Sequence, residues 1–282
     1  MRILPRRSSE TDSDAPAAES RGGLLRFLVI VALLSWLLRS LVVAPFSIPT
    51  GSMIPTLYIG DYLFVTKWPY GYSKVSFPMG IPPIEGRLFG RLPDRGDVVV
   101  FRPPGSESDF VKRVIGLPGD TIAVQQGMLI LNGQPLPREP LGNFALPISI
   151  NSPCRVIPPA TQMITETDDG PACLYPAFRE TLPGGRTYAV LDQIDGPADQ
   201  LPDIRVPQGH LFLMGDNRDD SLDSRFLPQE GGIGFVPVDN LIGKAGMVFW
   251  STDGSASYWK PWTWFTALRG DRIGTTFGNL DE

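Results

Sequence analysis

Two side chains in this sequence, a serine and a lysine, could together perform nucleophilic catalysis. Ser52 stands in the proline-flanked stretch IPTGSMIPTL, residues 48–57, and Lys112 stands in the apolar stretch FVKRVIG, residues 110–116. A serine hydroxyl is a poor nucleophile unless a nearby base takes its proton. Burial in an apolar strand can lower the pKa of a lysine by roughly three to five units from about 10.4, and a neutral amine could then act as that base. In the alternative, Lys112 points to solvent and takes no part.

His210 is the one histidine, and it opens the alternative of a Ser-His-Asp hydrolase. The sequence around Ser52 is T-G-S-M-I, which lacks the G-x-S-x-G pattern of a nucleophile elbow. We therefore expect a structural role for His210. A single histidine also excludes a metal centre built from two or three imidazoles, and we expect neither a metal nor a cofactor.

A second alternative is a calcium-binding interaction module, because DDSLDSRFLPQE, residues 219–230, carries oxygen-bearing side chains at EF-hand-like spacing. Positions 1, 3, 5 and 12 of such a loop would be Asp219, Ser221, Asp223 and Glu230. Position 6 is Ser224, where an EF-hand requires glycine, and Pro228 interrupts the loop. We expect no calcium site here.

The composition narrows the class of protein. The chain has 282 residues and a net charge of −5, and no basic cluster lies outside its N-terminal tail, so nucleic acid is excluded as a partner. The 30 glycines and 29 prolines favour short strands and turns over a helical bundle.

An apolar stretch near the N-terminus, LLRFLVIVALLSWLLRSLVV at residues 24–43, is long enough to cross a bilayer of about 30 Å as a helix. The alternative is a cleaved signal peptide, since the uninterrupted apolar run covers only residues 27–38. A small-residue cleavage point after Ala44 would be followed by Pro45, whose tertiary amide is a poor substrate for proteolysis. We predict an uncleaved transmembrane anchor over residues 24–44.

The charges that flank this anchor predict its orientation. Arg6, Arg7 and Arg21 precede it, and the next basic residue after it is Lys67. The positive-inside rule then leaves residues 1–23 as a disordered cytoplasmic tail and exports residues 45–282.

Both cysteines, Cys154 and Cys173, fall in the predicted exported part. In an oxidising compartment they would pair, and the closed loop would stabilise the fold by about 3 kcal/mol on the chain-entropy model. The alternative is two buried free thiols.

Alternating apolar residues between glycines and prolines predict strands. The runs are residues 61–67, 96–102, 109–116, 120–136, 210–216 and 240–250. They indicate a mainly β fold of antiparallel sheets that follows the single transmembrane helix. Residues 45–136 and 206–282 would form the catalytic β core. The proline-rich residues 137–205, which carry both cysteines, would form an inserted, irregular or β lobe.

Four motifs follow the anchor in a fixed order: IPTGSMIPTL, RGDVVVF, FVKRVIGLPGD and HLFLMGDNRDDSLDSRF. Together they resemble the sequence boxes of the bacterial type I signal peptidases, or leader peptidases. The resemblance implies a single-pass endopeptidase of the bacterial inner membrane with its catalytic domain on the extracytoplasmic side. Such an enzyme removes signal peptides from exported preproteins, works at the lipid bilayer and is a monomer. An anchored relative with an inactive site stays open as an alternative.

The resemblance assigns roles by position. It implies that Ser52 is the nucleophile, that Lys112 is the general base, and that the Ser52 N–H and the Thr50 hydroxyl form the oxyanion hole. The family usually has serine where this chain has Thr50, and threonine keeps the hydroxyl but restricts χ1.

Residues of the last motif would support this pair. The resemblance implies that Ser221 hydrogen-bonds and orients the Lys112 amine, and that Asp223 and Arg225 pair to hold their loop. We further expect Asp216 to pair with Arg113, against the alternative of two solvated charges.

Members of this family cut after small residues at the first and third positions before the bond, which shallow apolar pockets can enforce. By position, the residues that would line these pockets are Phe46, Ile48, Met53, Leu57 and Val111. The alternative for each is ordinary core packing.

Overall fold

The protein is described here by a computed structural model that covers residues 17–158, 163–168, 170–257 and 259–278. Helix α1 is Ala17–Leu37, a π-helical turn follows at Leu38–Val42, and α2 is Thr263–Thr266. Short 3₁₀ turns lie at Lys74–Ser76, Pro78–Gly80, Pro197–Asp199, Pro228–Glu230, Val238–Asn240 and Gly270–Arg272. The strands are β1 (Val43–Ser47), β2 (Asp61–Thr66), β3 (Tyr72–Ser73), β4 (Arg87–Leu88), β5 (Val98–Phe101), β6 (Phe110–Gly116), β7 (Thr121–Gln125), β8 (Met128–Leu131), β9 (Gln134–Pro135), β10 (Arg138–Pro147), β11 (Ile164–Thr167), β12 (Gly170–Thr181), β13 (Thr187–Leu191), β14 (Gln200–Arg205), β15 (His210–Met214), β16 (Val236–Pro237) and β17 (Leu241–Ser251).

The N-terminal helix differs from the predicted anchor at both ends. The part long and apolar enough to cross a membrane is Gly23–Val42, and almost none of it is buried against the rest of the protein. Residues 1–16 of the predicted tail lie outside the described residues, whereas residues 17–23 are helical rather than disordered. At the other end Val43 already begins β1, so the last two residues of the predicted anchor belong to a strand.

A seven-stranded antiparallel sheet forms the core, in the order β1-β2-β17-β5-β6-β15-β16. The mainly β prediction is confirmed, and each predicted apolar run contains at least one strand. All four residues of β5, the sequence VVVF, are buried, because this strand is central and covered on both faces. Strand β6 lies between β5 and β15, so its side chains are held from both sides.

Residues 137–205 are more regular than their prolines suggest. They form β10 to β14, in which β12 pairs with β10, β11 and β13. The segment is not an independent unit, because its strand β14 pairs with β7 of the predicted core in a sheet of order β14-β7-β8-β9. Side chains of β13 share one apolar cluster with side chains of β6, β7 and β15. The segment therefore packs directly on the elements that carry the candidate site.

Candidate active site

Ser52 lies in the tight segment that joins β1 to β2. The segment is held by backbone hydrogen bonds from Ile54 N to Gly51 O at 3.1 Å and from Leu57 N to Met53 O at 2.9 Å. Met53 and Leu57 are 1% and 0% exposed and fasten the turn to the core below it. The backbone around Ser52 is therefore fixed, while its side chain lies at the surface of this core.

The loop after β15 clamps the same segment from the other side. The backbone N–H of Asn217 donates to the Ser52 carbonyl oxygen at 3.1 Å, and the Asn217 side-chain amide donates to the Gly51 carbonyl oxygen at 3.1 Å. Gly215 also packs tightly against this segment: a Cβ atom there would lie 2.5 Å from the Ser52 carbonyl oxygen and would also clash with the Ser221 Oγ. Sequence reasoning missed both residues, because a close approach of two backbones leaves no periodic signal.

Lys112 extends from the middle of β6 towards this turn. Its side chain is buried, and its Nζ lies 2.5 Å from the Ser52 Oγ. Burial lowers the pKa of Lys112 to about 8, although the carboxylates of Asp223 and Asp216 act in the opposite direction. At pH 7 about a tenth of the molecules would then carry a neutral amine in contact with the serine hydroxyl.

Asp223 is the centre of the loop that faces Lys112. It is fully buried and accepts hydrogen bonds from the Gly215 N–H at 2.9 Å, the Ser221 hydroxyl at 2.8 Å and the Arg225 Nε at 2.9 Å. Burial by itself would raise the pKa of Asp223, but the adjacent Arg225 guanidinium outweighs it and keeps the pKa lowered. Asp223 is thus a buried carboxylate whose charge is compensated.

Ser221 differs from its predicted contact. Its hydroxyl donates to Asp223, and within the described residues no hydrogen bond joins it to Lys112. The ionised Asp223 carboxylate is a stronger hydrogen-bond acceptor than the Lys112 amine, so the Ser221 hydroxyl donates to Asp223. Ser221 still lines the same cavity as Lys112 and Ser52.

Arg113 follows Lys112 on β6 and therefore points to the opposite face of the sheet. Its guanidinium forms a bidentate pair with Asp216, with distances of 2.8 Å from Nε to Oδ1 and 2.6 Å from Nη2 to Oδ2. The two side chains are 2% and 1% exposed. Further hydrogen bonds to the Gly96 carbonyl and the Thr56 hydroxyl satisfy the remaining polar atoms.

A second buried ion pair links residues 137–205 to the site. Glu180 on β12 accepts from both Nη atoms of Arg218, and the Tyr188 hydroxyl donates to it at 2.7 Å. The Tyr188 ring in turn lies 4.3 Å from the Arg113 guanidinium. This network was absent from the prediction, because Glu180 lies in the segment with the weakest sequence pattern.

An apolar groove of about 250 Å³ opens beside Ser52 and Lys112. Four of the five predicted pocket residues line it: Phe46, Ile48, Met53 and Val111. The fifth, Leu57, does not, since it is fully buried with Leu63 and Val65 in the core underneath. Thr50 is exposed and lies at the edge of the groove.

Neither alternative assignment forms a site among the described residues. His210 Nδ1 lies 3.0 Å from the Gln208 carbonyl oxygen, and the side-chain hydrogen bond of Ser52 goes to Lys112. The calcium-loop residues do not converge: Asp223 accepts a hydrogen bond from Arg225, and Glu230 accepts one from the backbone N–H of Leu227 in its own turn.

Cys154 and Cys173 are joined by a disulfide bond with Cα atoms 5.3 Å apart.

Comparison with known proteins identifies related chains. Residues 21–250 match the family model described as signal peptidase, peptidase S26. The chain is 36% identical over 287 residues to the signal peptidase I of Rickettsia conorii, covering 94% of this chain and 95% of that protein. It is 37% identical over 279 residues to that of Rickettsia typhi, covering 91% and 92%. A crystal structure of a signal peptidase I from Enterococcus faecalis is 25% identical with a TM-score of 0.29, covering 55% of this chain and 97% of that one.

Proposed function

The chain belongs to the peptidase S26 family of signal peptidases, and we propose that it is a membrane-anchored serine endopeptidase in which Lys112 activates Ser52. It is a hydrolase whose family removes signal peptides from preproteins. The observation that carries the finer proposal is the 2.5 Å contact between the Lys112 Nζ and the Ser52 Oγ, both on buried residues.

The reaction can be followed atom by atom. The Ser52 Oγ attacks the carbonyl carbon of the scissile bond while the neutral Lys112 amine takes the hydroxyl proton. The resulting ammonium then gives that proton to the leaving amine, which departs as the new N-terminus of the mature protein. Water then attacks the acyl-serine ester while the Lys112 amine accepts its proton, and the ammonium returns that proton to the Ser52 Oγ as the ester C–O bond breaks and the signal peptide leaves with a new carboxyl terminus.

The oxyanion of the tetrahedral intermediate needs donors beside Ser52. Within the described residues the Ser52 N–H donates to no other group, and the Thr50 hydroxyl is exposed at the same edge of the groove. Each such donor is worth roughly 3–4 kcal/mol of transition-state stabilisation in comparable hydrolases. Asp223 and Arg225 keep the facing loop in place, and Ser221 acts on Lys112 through Asp223.

The groove supports a preference for small residues at the −1 and −3 positions. Its volume of about 250 Å³ has to hold the whole −3 to −1 segment of the peptide, which leaves little room for large side chains, and its walls are the apolar side chains already named. The helix Gly23–Val42 would anchor the enzyme with its N-terminus in the cytoplasm and the β domain on the far side, where the exported precursor is still tethered by its own signal. Confinement of both partners to one bilayer raises their effective concentration.

The direct experiment uses the full chain in detergent with a purified preprotein that has alanine at −1 and −3. We expect one cut, and N-terminal sequencing of the product should place it after the −1 alanine. A tryptophan at −1 should block it. Cleavage at unrelated sites, or no cleavage at all, would contradict the proposed function.

The pKa of Lys112 predicts the pH dependence of the reaction. The base must be the neutral amine, whose fraction falls about tenfold for each pH unit below the pKa of about 8. We expect kcat/KM to rise from pH 6 to pH 8 and to level off above it. Initial rates in buffers of constant ionic strength measure this profile, and a rate that is flat over that range would show that Lys112 is not the base.

Gly215 offers a test of how tightly the site is held. In Gly215→Ala the new Cβ meets the Ser52 carbonyl oxygen and the Ser221 hydroxyl at less than 3.0 Å, so the turn must shift. We expect kcat to fall about 100-fold, since displacements near 1 Å have that effect in active sites. Gly270→Ala is the matched control, because nothing lies within 4 Å of a Cβ there. Equal rates for the two variants would argue against a critical backbone contact.

A further inference from the structure

A second cavity, which we call the mature-side pocket, adjoins the apolar groove at Ser52. Its volume is about 280 Å³, and it is lined by Gly51, Arg155, Asp219, Asp220, Ser221 and Leu222. It shares Thr50, Ser52, Phe110 and Lys112 with the apolar groove. A peptide that places its residues before the scissile bond in the groove must continue into this pocket after the bond.

Arg155 is the most exposed charged side chain of the mature-side pocket. Its Nη2 lies 3.0 Å from the Asp220 Oδ1, and the two side chains are 60% and 18% exposed. This single contact leaves further N–H groups of the guanidinium open to a ligand. Asp219 differs, because its Oδ2 already accepts from the backbone N–H groups of Gln193 at 2.6 Å and Ile194 at 3.3 Å.

The position of Arg155 is set by residues 137–205 rather than by the strands that carry Ser52 and Lys112. Arg155 directly follows Cys154, which is bonded to Cys173 on β12. Its backbone N–H donates to the Tyr175 hydroxyl at 3.0 Å, also on β12. Residues 137–205 therefore place the positively charged Arg155 side chain at the edge of the site, where Asp220 holds it.

We propose that Arg155 is a specificity-determining residue that reads the charge of the first residue of the mature protein. This proposal rests on the proposed peptidase function. In an extended peptide one residue spans about 3.3 Å, so the side chain next to the scissile bond lies within the mature-side pocket. An acidic side chain there meets the open N–H groups of the guanidinium, which suit a carboxylate, whereas a lysine meets a like charge. Acidic mature N-termini are therefore processed faster than basic ones.

The test compares three preproteins that differ only in alanine, aspartate or lysine at the first mature position. For each enzyme we measure the ratio of kcat/KM for the aspartate substrate to that for the lysine substrate, with the alanine substrate as reference. We expect the wild type and Arg155→Lys to favour aspartate. Arg155→Glu should lower the ratio by up to about 25-fold, because one unit of partly exposed charge contributes up to about fivefold and the reversal changes the charge by two units. Arg205→Glu, the same charge change on an exposed residue of β14, should keep the wild-type ratio.

A ratio taken within one enzyme is independent of how much of that enzyme is folded. If Arg155→Glu yields no folded protein, Arg155→Gln takes its place with an expected drop of about fivefold. An unchanged ratio in both variants overturns the proposal while leaving the peptidase function intact. Failure of the wild type to cut any of the three substrates overturns the function itself, and this proposal with it.

Discussion

Ser52→Ala and Lys112→Met each abolish preprotein cleavage, with an expected loss in kcat of about 10⁴- to 10⁶-fold. Without the hydroxyl there is no acyl-enzyme, and without the amine the hydroxyl keeps its proton. Because the two groups act as a unit, the double variant should be no slower than either single one. Cleavage is measured with the detergent-solubilised full chain and one preprotein, and normal cutting by either single variant would contradict the assigned roles.

A stability measurement separates lost chemistry from lost folding. The pKa of Lys112 is about 8 when folded and about 10.4 when unfolded, so between these pH values the unfolded chain binds more protons. The free energy of unfolding therefore rises with pH through that window, and below pH 8 the buried lysine destabilises the fold by about 3 kcal/mol. Lys112→Met removes this penalty, and we expect its Tm at pH 7 to be no lower than that of the wild type. Exposed Lys260→Met is the matched control and should leave both activity and Tm unchanged.

Arg113→Met has the largest expected effect on stability. It leaves the Asp216 carboxylate, which is 1% exposed, without its bidentate partner in the interior. Breaking a buried pair from one side lowers the free energy of unfolding by about 3–5 kcal/mol, because the remaining charge is uncompensated. Denaturant unfolding of the detergent-solubilised protein measures it.

Two controls make this result interpretable. The double variant Arg113→Met/Asp216→Leu removes both charges and should recover most of the loss. Arg102→Met breaks an ion pair to Asp109 of similar length, 2.7 Å, but with side chains 35% and 26% exposed. We expect less than about 1 kcal/mol there. Equal losses for the buried and the exposed pair would show that burial does not control the energy of the Arg113–Asp216 pair.

The sequence alone predicted the features that depend on a single local pattern of residues. The apolar run VVVF predicts a strand whatever its neighbours are, and the long motifs around Ser52 and Lys112 indicated the family, which is confirmed. A local signal of the same kind marks the turn at Asn132 and Gly133, because both residues adopt positive φ and asparagine and glycine are the residues that tolerate it.

Contacts that depend on distant chain segments could not be read in this way. Leu57 and Met53 look alike in sequence, yet only Met53 lines the groove. The preference of Ser221 for Asp223 over Lys112 depends on which acceptor is ionised. Pro176 suggested irregular chain, but it lies in β12 at the gap between the residues that pair with β11 and those that pair with β13, where a missing N–H is tolerated.

Strand β1 begins at Val43, the residue directly after the membrane-compatible segment, and β2 is tied back to that boundary by the hydrogen bond from Lys67 N to Val42 O at 3.2 Å. No flexible linker therefore separates Ser52 from the membrane-compatible segment, and the ten residues from Val43 to Ser52 reach at most about 35 Å. If this segment anchors the enzyme as proposed, folding rather than diffusion sets the height of the Ser52 hydroxyl above the lipid. On that proposal we expect a precursor whose scissile bond lies too far from its own apolar segment to escape processing even when its flanking side chains fit, so that position relative to the bilayer selects substrates as well.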